Sequence, residues 1–524
     1  MRRSLVGWLV VIGACGTTPS TTTTTHWFDE VAQSGVELTQ QPDPDANIAG
    51  LGAGVSATDL DGDGLPELAV AGSLAGLRIY HNLGGLHFED VSDSIGIDKT
   101  IPAQAVGFAD LDNDGDQDLI VVALQRTYIY ENQGGHFVEV SQPQPMTNNR
   151  EMRGIQVADF DNDGLLDLLV LSSPNSNGVY ASVSGNLLYR NVGGLAFTDV
   201  TAQFDVGSGA SLAAASVDYD LDGKLDLYIA NDAFSANYGN NDIVAPTVYP
   251  MDILFHNIAP QVPSFENMIE AAQIAYPRSS MGIIVADFNG DGLPDFYVSD
   301  YGEKSLFINQ GNGTFENQVT KYGIGATSSS DPSCKPSTMP GPFDCLLVSW
   351  GSTLSDVDMD GWDDLIVVNG STFHFAQETS QFKGGENGFS PVDAGLPETE
   401  GRTLIPIDLD GDGDLDLVVG TFFGPVRIFE NVTVTPQSNW LQVNLQGTTS
   451  NRDGVGAVVE AKLGSADRRR YVGVGGVVHA YTNAGAYFGL GSEHQVDLEV
   501  TWPDGTHQEV LGVESNQVVT ITEN

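Results

Sequence analysis

One nine-residue pattern occurs seven times along this chain of 524 residues. It places a carboxylate or amide at positions 1, 3 and 5, Gly at position 6 and a carboxylate at position 9. At positions 1, 3, 5, 7 and 9, loop one reads Asp59, Asp61, Asp63, Leu65 and Glu67, and loop two Asp110, Asp112, Asp114, Asp116 and Asp118. Loop three reads Asp159, Asp161, Asp163, Leu165 and Asp167, and loop four Asp218, Asp220, Asp222, Lys224 and Asp226. Loop five reads Asp287, Asn289, Asp291, Leu293 and Asp295. Loop six reads Asp356, Asp358, Asp360, Trp362 and Asp364, and loop seven Asp408, Asp410, Asp412, Asp414 and Asp416. Hard oxygens crowded at this spacing repel one another unless a cation sits among them. Such sets suit Ca²⁺, with side chains at 1, 3, 5 and 9 and the backbone carbonyl at 7 as ligands. Up to seven structural Ca²⁺ ions are therefore expected. Loop five carries one fewer charge, at Asn289, and is the weakest of the set; Lys224 is harmless if only its carbonyl binds.

An EF-hand opens in the same way but needs a bidentate Glu at position 12 and flanking helices. Position 12 here is Val70, Val121, Val170, Ile229, Val298, Val367 and Val419, all β-branched. Position 10 is Leu or Phe in every copy, so the loop runs into a buried strand. Position 2 is apolar throughout, so each loop joins two strands, and Gly at position 6 permits the sharp turn. The competing reading is seven acidic turns without a metal.

The loops recur with a period near 50 residues, the size of a four-stranded propeller blade. A second motif follows each loop: Asn, usually a Gly pair, then Phe and an acid, as in Asn82-Leu83-Gly84-Gly85 and Phe88-Glu89-Asp90-Val91. It reads as the turn between strands 3 and 4 and strand 4 itself. The seventh repeat reaches Phe429-Glu430-Asn431 and then lacks this Phe segment, which instead precedes loop one as Trp27-Phe28-Asp29-Glu30-Val31. A ring closed by its N-terminal strand removes the open sheet edge. The expected fold is all-β: a seven-bladed propeller over 27–437 and a small β domain over 438–524, with alternation at Val496, Leu498, Val500 and Trp502.

The repeats resemble the FG-GAP/VCBS family, the calcium-loop propellers also found in integrin α chains. The C-terminal segment, with Asn451-Arg452-Asp453-Gly454, Phe488-Gly489-Leu490-Gly491 and Trp502-Pro503-Asp504-Gly505, resembles the ASPIC/UnbV domain. The combination resembles the cartilage acidic protein family and its bacterial relatives, a resemblance that implies no defined catalytic reaction. Arg468-Arg469-Arg470 is the one basic cluster; it reads as a solvated hairpin, with an acidic partner as the alternative.

The formal charge is −49, with 70 acids and 21 bases, and the seven loops hold 30 of the acids. Seven Ca²⁺ would bring the charge to −35, still unsuited to a nucleic-acid partner. At the N-terminus, Arg2-Arg3 precede a short apolar run, Leu5 to Gly13, too short to span a bilayer. Ile12-Gly13-Ala14-Cys15 resembles a bacterial lipobox, which implies a signal over 1–15, lipidation of Cys15 and a Thr/Ser-rich tether over 16–26. The protein is then exported to the cell envelope, held to the membrane by lipid alone; ordinary secretion is the alternative. Cys334 and Cys345 are expected to form a disulfide, with two free thiols as the other reading.

Long insertions fall between strands 2 and 3, or between blades, and so on the face opposite calcium. They carry candidate contact residues Tyr180, Phe234, Tyr238, Tyr249, Phe373, His374 and Phe375. Alternatively these loops pack on one another and plug the channel. No H-E-x-x-H, G-x-S-x-G or P-loop occurs. The expected function is a non-catalytic module that binds glycan, matrix or protein. A polysaccharide lyase or hydrolase, and a cell-envelope scaffold, are the alternatives.

Overall fold

The computed structural model describes residues 26–39, 54–147, 151–173, 185–203, 209–232, 251–258, 264–275, 278–325, 346–370, 376–422, 424–433, 438–464, 467–483 and 485–524. Seven sheets account for the repeats: six are built on four consecutive antiparallel strands, and the seventh takes its fourth strand from the N-terminus. In the first blade the strands are Val55–Thr58, Glu67–Ala71, Leu77–Asn82 and Phe88–Asp90. Each metal-loop sequence joins strand 1 to strand 2. Strand 2 is buried along its whole length in all seven blades. That explains its unbroken apolar run: a strand covered on both faces has no reason to alternate. Strand 4, at the rim, buries its Phe and exposes the next two residues in most blades.

The first strands of successive blades pack side by side, and Val55–Thr58 meets Gly401–Ile407 to complete the ring. The seventh blade consists of Gly401–Ile407, Asp416–Thr421, Arg427–Asn431 and the N-terminal strand Phe28–Glu30. Phe28 pairs with Asn431 and Glu30 with Phe429, in antiparallel register. The closing strand inferred from the displaced Phe motif is thus in place. Trp27 and Phe28 are both 1% exposed, in a core shared with Leu404, Leu417 and Val419.

Beyond residue 438 the chain forms two sheets. Asn439–Gln446 lies between Ala486–Gly491 and Gln517–Thr522, while Val458–Lys462 and Gln495–Thr501 lie between Arg468–Tyr471 and His507–Glu514. Val496, Leu498, Val500 and Trp502 all enter their common core, as their alternation predicts.

Residues 474–482 leave this unit and occupy the centre of the ring. They touch the inner strand of every blade. Ser56 Oγ donates to Tyr481 O (2.7 Å), and Thr403 Oγ1 to Val478 O (2.8 Å). Ser216 N donates to Val474 O, Gly476 N to Ala214 O, Ile283 N to Gly476 O and Val106 N to His479 O. His479 Nδ1 lies 2.6 Å from Arg153 O, and Val478 packs with Trp350. Ala480–Tyr481 pairs in parallel with Val106–Gly107, giving blade two a fifth strand. Close approach requires glycine on the plug: a Cβ on Gly475 would lie 1.6 Å from Gln156 Oε1, and one on Gly476 2.2 Å from Ile283 O. Both glycines also have positive φ, of 75° and 83°. The described residues that fill the channel therefore come from the C-terminal domain, whereas the sequence had offered the inserted loops.

Candidate metal centres

Each loop is organised by its own backbone. The Gly at position 6 has positive φ in all seven copies, and its N–H donates to the position 1 carboxylate at 2.7–2.9 Å. The position 7 N–H donates to the position 5 carboxylate at 2.9–3.1 Å. The position 9 carboxylate takes the position 2 N–H at 2.8–3.2 Å on one oxygen. Its other oxygen takes the N–H of the last residue of strand 3, or in blade six of Gly384 just after it, at 2.7–3.3 Å. These bonds hold the acids facing one another. One ligand atom each from Asp110, Asp112 and Asp118, and from Asp159, Asp161 and Asp167, falls within 4.8 Å of the others.

The clusters are under electrostatic strain. Burial, with repulsion from neighbouring carboxylates, pushes Asp110 and Asp159 up to about 7, and Asp118, Asp295 and Asp416 up to about 8. Asp167, Asp356 and Asp364 are also raised, again mainly by burial. A divalent cation relieves this strain in a way that no arrangement of the acids themselves does. The donors gathered in each loop are oxygens alone, carboxylates at positions 1, 5 and 9 and a carboxylate or amide at position 3. The donor set therefore fits a hard divalent ion.

Two features escaped the sequence reading. Position 4 is left-handed in every loop, and non-glycine residues occupy it in four: Asn113, Asn162, Leu221 and Met359. The Asn of the second motif is also more than a turn residue. Its side-chain amide donates to the position 8 carbonyl of its own loop and, in five blades, to the position 2 carbonyl of the preceding blade's loop. The cross-blade pairs are Asn82–Leu409, Asn191–Leu111, Asn257–Phe160, Asn309–Tyr219 and Asn431–Val357. The motif's fixed spacing from the loop was the available signal.

The C-terminal domain sits on the loop side of the ring. The Arg triplet is not a solvated hairpin: all three guanidinium groups turn into the propeller. Arg468 donates to Gly361 O (3.0 Å) and lies 4.6 Å from the Trp362 ring, while Arg469 Nη1 is 3.3 Å from Asp287. Arg470 Nη1 donates to Asp363 (3.0 Å). The acidic partner is the chain's own set of loops. Arg452 approaches Asp110 (3.5 Å), and Tyr487 Oη donates to Gly413 O (3.1 Å). The Trp440 indole lies so close to Gly413 that a Cβ there would be 1.9 Å from it. Loop one stays open, with Asp61 and Asp63 exposed.

The segments that carry Tyr180, Phe234, Tyr238, Tyr249, Phe373, His374 and Phe375 lie outside the described residues, as do Cys15, Cys334 and Cys345. The strand ends from which they depart, such as Ser173 and Asn231, lie at the end of the blades opposite the loops. Among the described residues no helix is long and apolar enough to cross a membrane.

A family model described as FG-GAP-like repeat matches residues 59–121, 110–170, 274–334 and 356–419, and one described as ASPIC and UnbV matches 447–524. Human cartilage acidic protein 1 is 24% identical over 510 residues, which cover 92% of this chain and 73% of the human protein. The mouse protein of that name is 24% identical over 367 residues, 60% of this chain and 55% of its own length, so the chain spans about half of that relative. Among solved structures, a lectin from Burkholderia pseudomallei superposes with TM-score 0.41 at 9% identity, covering 74% of this chain and 97% of the lectin. The chain is thus a propeller of FG-GAP-like repeats joined to a C-terminal ASPIC and UnbV domain.

Proposed function

We propose that this protein is an exported, lipid-anchored calcium propeller that acts as a non-catalytic module binding glycan, matrix or protein through the ring face opposite the metal loops. The observation that carries this reading is the covering of the loop face. Arg452, Arg468, Arg469, Arg470 and Tyr487 bring the second domain onto loops two, five, six and seven. Calcium there has a structural role, and the free end of the scaffold is the one where the long insertions leave. Loops mounted on a rigid scaffold are the usual place for recognition.

A second reading, a polysaccharide lyase or hydrolase, is favoured by one cluster at that same end. Burial pulls Lys304 down to about 7 and pushes Asp300 up to about 8, and it also raises Asp252. Groups poised near neutrality are what proton transfer requires.

Protein from residue 26 onward, applied to polysaccharide and matrix-protein arrays with calcium and then with EDTA, separates the readings. Calcium-dependent retention without released product supports the binding module. Product release establishes the enzyme. Retention that survives complete calcium removal with the fold intact removes calcium from the account.

A further inference from the structure

The residue just before the motif Asn, or before the Gly384 that replaces it in blade six, differs sharply among the seven blades. Its backbone neighbour is fixed by the position 9 carboxylate, so its side chain stands beside the loop. Blades two and seven place Glu131 and Glu430 there, blade five Ile308, and blades one and four His81 and His256. Blades three and six place Arg190 and Lys383. Both basic groups span the acids at positions 3 and 5. Arg190 Nε contacts Asp161, and its Nη2 lies 2.9 Å from Asp163. Lys383 Nζ contacts Asp358 and lies 2.7 Å from Asp360. In loop four, Lys224 pairs with position 5 alone.

Each bridge is anchored on a buried position 3 acid, while Arg190 and Lys383 themselves are 42% and 36% exposed. The Asp161 side chain is 0% exposed and that of Asp358 12%. Lys383 is held from its other side by the ring of Trp27, 5.7 Å away, in the segment that leads into the closing strand.

We infer that Arg190 and Lys383 are resident cations, which make loops three and six calcium-independent turns while the other loops require metal. The inference rests on the calcium reading above. A guanidinium or ammonium bridging two of the five ligand positions supplies one of the two positive charges that a metal would bring, at the place where the metal would sit. Calcium entering either loop has to displace that group or sit against it, and like charges at such range repel strongly. Loops three and six then carry a permanent counter-charge in a ring whose other turns depend on the ion.

Metal-free protein from residue 26 onward is titrated with Ca²⁺ alone, and bound ions are counted by calorimetry and equilibrium dialysis. Lys383→Met and Arg190→Met keep side-chain length and remove charge; Lys383→Arg keeps the charge. The wild type should bind five ions of the seven its loops suggest, each Met variant one more and the double variant seven, with Lys383→Arg unchanged. The added site should bind at least tenfold more tightly than any trace of it in the wild type. Thermal unfolding gives a second readout: the Met variants should lose midpoint in EDTA and recover it in calcium, so a variant that folds only with calcium supports the assignment. Seven equivalent sites in the wild type, or Met variants with unchanged counts, would overturn it while leaving calcium binding intact. No bound calcium in the wild type would overturn the calcium reading and this inference together.

Discussion

The side-chain amide of Asn309 donates to the carbonyl of Tyr219 at 2.8 Å, from blade five into the loop of blade four. The same amide reaches Pro294 O at 3.2 Å, and the Asn309 backbone N–H reaches Asp295 at 2.7 Å. One residue thus ties its own loop to the previous one. Asn309→Leu leaves two buried carbonyls without a donor, and a loss of about 1–3 kcal/mol is expected. Urea unfolding checks it; a change within 0.5 kcal/mol of zero would contradict the role.

Calcium removal should lower stability in proportion to the number of sites emptied. A site held at a hundredfold excess over its dissociation constant contributes about 2.7 kcal/mol by mass action. Differential scanning calorimetry in calcium and in EDTA reads the difference. Coincident transitions under both conditions would show that the acids carry no ion.

Gly476→Val puts a side chain where Ile283 O already lies, 2.2 Å from the new Cβ. The plug cannot then seat in the ring. The expected result is a single unfolding transition split into two, together with chymotryptic cleavage at Tyr481. A variant with one wild-type-like transition would show that the channel accommodates the change.

His479 provides a pH test remote from the metal loops. Complete burial, with the nearby charges of Arg153 and Arg402, pulls its imidazole from 6.5 down to about 4, although the Arg153 carbonyl partly opposes this. Its Nε2 has no partner among the described residues. The unfolded chain binds a proton at pH values where the folded one does not. Stability from this residue is full above pH 6.5 and falls as pH drops toward 4, by roughly 3 kcal/mol. In saturating calcium, His479→Gln should flatten the stability–pH slope in that window by the equivalent of one proton. Superimposable slopes would refute the assignment.

Leu221 occupies position 4 of loop four with φ of 61° and is 58% exposed. Asn holds the same position in loops two and three at φ of 63° and 56°. Leu221→Asn relieves the left-handed strain at little packing cost, and a gain of about 1 kcal/mol in chemical denaturation is expected.

The ring was legible because its determinants are local and repeated. Asp at fixed offsets, Gly at position 6 and a β-branched residue at position 12 state loop, turn and buried strand within a dozen residues. The misplaced Phe28 motif even disclosed where the ring closes. The plug was not legible because its partners are scattered. Ser56, Val106, Arg153, Ala214, Ile283, Trp350 and Thr403 come from seven separate segments, and the stretch Val474 to Tyr481 has no period of its own. Arg468 to Arg470 misled for a related reason: basic residues in an acidic chain look solvated until the fold brings acids from elsewhere beneath them. Arg190 and Lys383 were visible all along, but only strand pairing reveals that they stand over loop acids.

The position of the plug in the chain sets an order of assembly. All seven blades precede residues 474–482, and a chain emerging from its N-terminus has completed every blade before the hub that joins them exists. Phe28 must also wait for Asn431 before the seventh sheet is whole. A nascent or truncated molecule is therefore a hollow wheel with a lined but empty axle, open to proteases and to foreign strands. Passage to the filled state is a single late event that separates the finished molecule from its unfinished forms.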